Sequence, residues 1–168
     1  MTPEELVDLI LHESFTPTSA MRYLRLLKER VSDKLFQATE EAGQSEYQLA
    51  SVREKQWLDN LPIDLFNRFN QNSLHNIFTR AEENIKSIQP LIIFLAFELP
   101  ETEISTLGAY LRQDFGSHFL IELRINPYLI AGAAFSWKGI YKDYSLQQKI
   151  SDNHQAILKV LEEYRHKK

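Results

Sequence analysis

Apolar residues change rhythm near residue 90, from helical spacing before it to short runs and strict alternation after it. Pro3-Glu4-Glu5 predicts a helix start, since proline suits the first turn and acids complement the positive helix end. Thr16-Pro17-Thr18 ends that helix, because the residue before a proline is pushed out of the helical region. From Ser19 to Asn60 there is no proline and only one glycine, Gly43. Met21, Leu35, Ala42 and Leu49 share one heptad register, and Leu24, Val31, Ala38 and Val52 the other, with Lys28, Ser45 and Gln56 as polar interruptions. This predicts one long helix wanting a partner, either its own domain or a second helix in a coiled coil. The small residues Ala38, Ala42 and Ser45 suit close, loosely wound pairing. Pro62 starts a further helix through Ser87, with Phe66, Phe69, Ile77, Ala81 and Ile88 as an apolar stripe for docking.

Beyond Pro90, Leu91 to Phe97 is a continuous apolar run of strand length, as in a strand covered on both faces. Pro100-Glu101-Thr102-Glu103 begins a helix with Ile104, Leu107, Leu111 and Phe115 on one face, and Gly116 is placed to end it in the left-handed conformation. Phe119, Ile121, Leu123 and Ile125 alternate with His118, Glu122 and Arg124. That predicts a strand parallel to the first, central in the sheet, with Leu123 and Ile125 pointing inward. Tyr128 to Trp137 and Ile140 to Tyr144 read as a hairpin closed at Lys138-Gly139. Ser145 caps a last helix, with Gln148 completing a capping box, and the helix runs to about Tyr164. Leu146, Ile150, Ile157 and Leu161 line one side of it, and the distal Ile157, Val160 and Leu161 are candidates to face another chain.

The expected fold class is therefore α+β. A helical region over 1–88, with a coiled coil as one option, precedes a small α/β domain over 89–168 with a mixed sheet of about four strands and a C-terminal helix.

Net charge is −4 and the basic residues are scattered among acids, so no electrostatic footprint for nucleic acid is present. There is no cysteine, which excludes disulfides, thiolate nucleophiles and cysteine zinc sites. The N-terminus carries acid where a signal peptide carries positive charge, and its apolar run is broken by Asp8 and His12, so a cytoplasmic location is expected. The longest apolar run, Leu91 to Phe97, is far short of the ~20 residues a spanning helix requires, so no direct membrane insertion is expected.

No catalytic, cofactor or metal site emerges. His12, His75, His118, His154 and His166 have no metal spacing, and Asp114 and His118 are separated by Gly116. Gly132, among Ala131, Ala133 and Ala134, lies inside a predicted hairpin strand, where a small residue marks close backbone contact; a phosphate loop would sit between a strand and a helix. Asp143 beside Ser145 reads as helix capping.

The helix LPETEISTLGAYLRQDFG closed by Gly116, the strand INPYLIAGAAF and the KDYS before the last helix resemble the C-terminal domain of the ATP synthase delta subunit, the counterpart of the mitochondrial oligomycin-sensitivity-conferring protein. Asn126 stands where that family commonly has Asp, and Ala131-Gly132 replaces its double glycine. The resemblance covers the last 80 or so residues and implies a non-catalytic peripheral-stalk (stator) subunit of a rotary proton- or sodium-translocating ATP synthase. Its implied partners are the b-type stalk subunits, gripped by the α/β domain, and the alpha subunits, capped by an N-terminal helical bundle. Its implied place is the inner face of the cell membrane, held there through the complex. The family's bundle is not evident in the first 90 residues, whose long helix looks more like stalk material, as in fused b-delta chains or the E-type subunit of vacuolar-type enzymes. The alternative reading is an unrelated cytoplasmic coiled-coil adaptor.

Overall fold

The computed structural model describes residues 1–36 and 47–166. Five helices come first: α1 (Pro3–Glu13), α2 (Pro17–Phe36), α3 (Val52–Asn60), α4 (Ile63–Asn67) and α5 (Gln71–Ser87). The α/β region follows as β1 (Leu91–Leu95), α6 (Glu101–Phe115), β2 (Ile121–Ile125), β3 (Ala133–Trp137), β4 (Ile140–Asp143), α7 (Leu146–Asp152) and α8 (His154–His166). The protein is thus α+β, with a mixed four-stranded sheet and a C-terminal helical segment.

Capping chemistry sets the helix starts. At α1, Thr2 accepts from the Glu5 N–H while Glu5 accepts from the Thr2 N–H, a capping box with Pro3 in the first turn. The α1 stripe Leu6, Val7, Ile10 and Leu11 is buried. On α2, Ala20, Tyr23, Leu24, Leu26, Leu27 and Val31 are buried. They join Trp57, Leu58, Leu65, Phe66, Phe69, Leu74, Ile77, Phe78, Ala81 and Ile85 in one core. Burying a large apolar side chain contributes roughly 1.5–3 kcal/mol, so this continuous cluster is the main source of the helical region's stability.

Two expectations are corrected here. The single helix from Ser19 to Asn60 is not present: residues 47–49 form a turn, and Ser51 opens α3 with its own capping box to Glu54. The heptad positions Leu24 and Val31 are buried in the helical core, and the buried α2 stripe is wider than a two-helix seam, as on an ordinary amphipathic helix. Ala38, Ala42, Gly43 and Ser45 lie outside the described residues. The helix expected from Pro62 to Ser87 is two helices, because Asn70 caps α5 by accepting from the Asn72 N–H at 3.0 Å. Phe69, at that break, is buried and stacked on Phe78 with ring centroids 5.6 Å apart.

The sheet order is β2-β1-β3-β4. β1 pairs in parallel with β2 (Ile93 opposite Leu123) and antiparallel with β3 (Ile93 opposite Phe135), and β3–β4 is the expected hairpin. Its turn uses positive φ at both Lys138 (48°) and Gly139 (78°), the geometry that matches strand twist. The central strand is β1, while β2 is an edge. Leu123 is accordingly only half-buried and Ile125 is exposed, against the expectation that both point into a core. β1 is likewise not sealed on both faces, since only Ile93 of its five residues is buried. The strand stops at Leu95 and leaves Phe97 exposed. Register places Ile93, Leu123, Phe135 and Trp137 on one face, where Trp137 meets Phe115 of α6 and Phe119 at 5.8 and 5.9 Å. Ile92, Phe94, Ser136 and Tyr141 share the other face.

Candidate partner-binding surface

The C-terminal helical segment is positioned by a short polar arrangement at its start. The Asp143 carboxylate accepts the Ser145 N–H at 2.7 Å, and the Ser145 hydroxyl, fully buried, accepts the Gln148 N–H at 3.2 Å. The expected capping box is therefore not closed by Gln148, whose amide instead donates to Asp152 at 2.9 Å. Hydrogen bonds from Ser145, side chain first and backbone second, hold the Asp143 carboxyl below its ordinary pKa. Nearby Tyr141 is pushed the other way, by desolvation and then by the Asp143 charge.

Gly132 explains how the helix start reaches the sheet. Its φ of +88° suits glycine, and an added Cβ would fall 2.6 Å from the Tyr144 carbonyl oxygen. Leu146 donates to Ala131 O at 2.8 Å and Tyr144 to Ala133 O at 3.0 Å, so the backbone before β3 is pressed against the entry to α7. Gly132 precedes β3 rather than lying within it. Gly116 ends α6 with φ +96° but ψ 167°, an extended mirror-image conformation open to glycine rather than the expected left-handed helical one.

Beyond that start, no side chain described on α7 or α8 is buried. Leu146, Ile150, Ile157, Leu158 and Val160 are all exposed, with Ile157 at 39% and Val160 at 51%. The side chain of Leu161 lies outside the described residues. The helix expected to run unbroken is interrupted at Asn153, whose side chain donates to Lys149 O at 2.9 Å.

Sequence reasoning confined the partner-facing candidates to the distal helix and missed the rest of the display. Tyr128 (83% exposed) and Ile130 flank buried Leu129 in the turn after β2, and Ile140, Tyr141 and Tyr144 are exposed around β4. The signal was present: in Tyr128-Leu129-Ile130 all three residues are large and apolar, and a turn can bury only one of them. Ile140 and Tyr141 fall on opposite faces of the sheet, so these are separate exposed apolar positions rather than one patch.

The four histidines whose side chains are described do not assemble into a centre. His12 contacts Glu13 and His118 contacts Asp8, each on the surface, while His75 and His154 are exposed. Among the described residues no three His, Asp or Glu side chains could together hold a metal ion. No helix among them is long and apolar enough to cross a membrane. No protein-family model matches the chain, and no curated protein matches it either.

Proposed function

We propose that this chain is a peripheral-stalk subunit of a rotary proton- or sodium-translocating ATP synthase, joining b-type stalk subunits to the catalytic hexamer without catalysing a reaction itself. It takes part in ATP synthesis and ion transport as a static link at the cytoplasmic side of the membrane, associated with the membrane only through the complex. The observation that carries this reading is the C-terminal helical segment, which follows the delta-like KDYS start and presents an exposed apolar stripe. The helical core over the first 88 residues also supports a delta-like arrangement over the fused b-delta or E-type alternatives, because it is a bundle rather than stalk material. It offers a body for the alpha contact that the family resemblance implies. For the adaptor alternative, Leu24 and Val31 are buried within the chain and give it no support, whereas Leu49 and Val52 are exposed.

Such a grip buries roughly 1,200–2,000 Å² and draws most of its affinity from a few large side chains. The test is calorimetric titration of the purified chain with a peptide from the C-terminus of a b-type subunit. Replacing Ile157 and Val160 together by Asp is expected to weaken binding by about 30-fold or more, since each loss of 1.4 kcal/mol is tenfold. The melting temperature should not move, because neither side chain supports the fold. Wild-type protein that binds no stalk peptide would sink the reading.

A further inference from the structure

The two regions meet across more than a linker. α5 ends at Ser87 and β1 begins at Leu91, so only Ile88, Gln89 and Pro90 lie between them. Leu120, just before β2, is fully buried in the core formed by the helices. The Ile121 N–H donates to Phe15 O at 2.9 Å, which ties the α1–α2 turn to the start of the edge strand. Arg112 of α6 reaches further. Its two terminal nitrogens donate to Leu11 O and Ser14 O, at the C-terminal end of α1, and its Nε donates to Phe119 O at 3.2 Å.

That placement answers a need of α1. The last carbonyls of a helix have no partner within it and carry the negative end of its dipole, so a cation is favoured there. Ile10 O is satisfied by Ser14, and Arg112 takes Leu11 O. The guanidinium also lies 4.3 Å from the centroid of the Phe15 ring, a cation–π distance. Beneath the ring is Gly108, one helical turn before Arg112 and buried, where an added Cβ would overlap the Phe15 side chain. A glycine inside a helix costs about 1 kcal/mol relative to alanine, and here it gives room for the ring.

We propose that Arg112, Phe15 and Gly108 form a fixed joint, so that the helical region and the α/β region move as one body with no hinge between them. Domain pairs that hinge meet through few and mostly polar contacts. The hydrogen bonds across this junction are also few, but they are backed by a buried leucine, a ring wedged against a glycine and a guanidinium satisfied by three carbonyls. The exposed pairs at its rim, His118 with Asp8 and Arg53 with Ser105, add little. A force or partner acting on the C-terminal surface is then passed to the helical core without being absorbed in bending. The inference concerns the chain alone and stands or falls independently of the stalk reading.

The chain has no cysteine, so exposed Arg80 on α5 and Lys142 on β4 can be replaced by cysteine and labelled with nitroxides without background. Pulsed electron resonance should give one narrow distance distribution in the full chain. Arg112→Met keeps the aliphatic stem over Phe15 and removes every donor, and is expected to at least double the width of the distribution. Asp8→Asn, which touches only the rim, should leave the width unchanged. Gly108→Val, which must push the Phe15 ring away from α6, should broaden it as Arg112→Met does and decides alone if Arg112→Met does not fold. A broad distribution in the parent chain would overturn the joint; so would a narrow one in Gly108→Val, or equal broadening by Asp8→Asn.

Discussion

The helical region hides its large apolar side chains, whereas the α/β region displays them. Among the described residues, all buried apolar residues other than Ile93, Leu120, Ile121, Leu129 and Ala134 belong to the first five helices and their connections. The exposed large apolar residues described are distributed the other way: apart from Leu49, Val52 and Ile63, each lies at or beyond Phe97. Leu120 is itself buried in the helical core rather than in the sheet's own. Stability is therefore concentrated in the helical region, and under the proposed function association falls to the other, so a substitution should be felt in one assay or the other according to where it falls.

The largest test of this division compares two leucines. Leu27 is fully buried on α2, so Leu27→Ala should cost about 2–5 kcal/mol through lost transfer energy and the cavity left behind. Leu123 sits half-buried on an edge strand, and Leu123→Ala should cost about 1 kcal/mol, since much of its surface is never removed from water. Urea melts of the two variants measure both. Equal losses would mean that the α/β region holds a core of its own as tight as that of the helices.

How far these differences were legible in the sequence depends on which physical signal carried them. Local chemistry was readable: Pro3 at the start of α1, Lys138-Gly139 in the hairpin and Ser145 before the last helix each act within a few residues. The breaks at residues 47–51 and 68–70 were missed because the apolar period continues across them, and period was given more weight than caps. Ser51-Val52-Arg53-Glu54 is a capping-box pattern, and it marks the start of α3 directly. Strand order was not legible from alternation, which tells which side chains share a face but not whether a strand is central or at an edge. The exposure of Ile157 and Val160 was legible because helical spacing extends past any small sheet. Arg112 and Gly108 were not, although a lone glycine inside a helical pattern is itself a sign of close packing.

A second test uses acid to probe the helical region alone. Glu54 is buried, accepts the Ser51 N–H at 2.6 Å and pairs with Arg22 of α2. Burial alone would raise its pKa, but the Arg22 and Ser51 hydrogen bonds outweigh this and lower it. Because the folded-state pKa lies below the unfolded one, the carboxylate stabilises the fold above the unfolded value, and the contribution is lost as pH falls through the folded value. Glu54→Gln should therefore cost about 1–2 kcal/mol at neutral pH and progressively less as the solution is acidified through the carboxylate range. Thermal melts across that range measure the convergence of variant and parent. A cost that stays constant down to the lowest pH would show that the charge contributes nothing.

The smallest expected effect falls on the start of the C-terminal helical segment, where the fold passes into the exposed stripe. Ser145→Ala removes the hydroxyl that accepts the Gln148 N–H, a cap normally worth about 1 kcal/mol. The same substitution at Ser51 also removes a cap, yet α3 is held by Trp57 and Leu58 in the core and cannot fray freely. No described side chain of α7 or α8 provides such an anchor, so loss of the cap should be read locally, as fraying from residue 146 onward. Amide hydrogen exchange separates the two outcomes. Ser51→Ala should weaken protection across the helical core by a small, uniform factor. Ser145→Ala should accelerate exchange in residues 149–160 several-fold while protection of α2 and α5 stays as it was. If Ser145→Ala instead loosened the core helices, the last helix would be part of the folding unit, and its exposed apolar stripe would no longer be reserved for a partner.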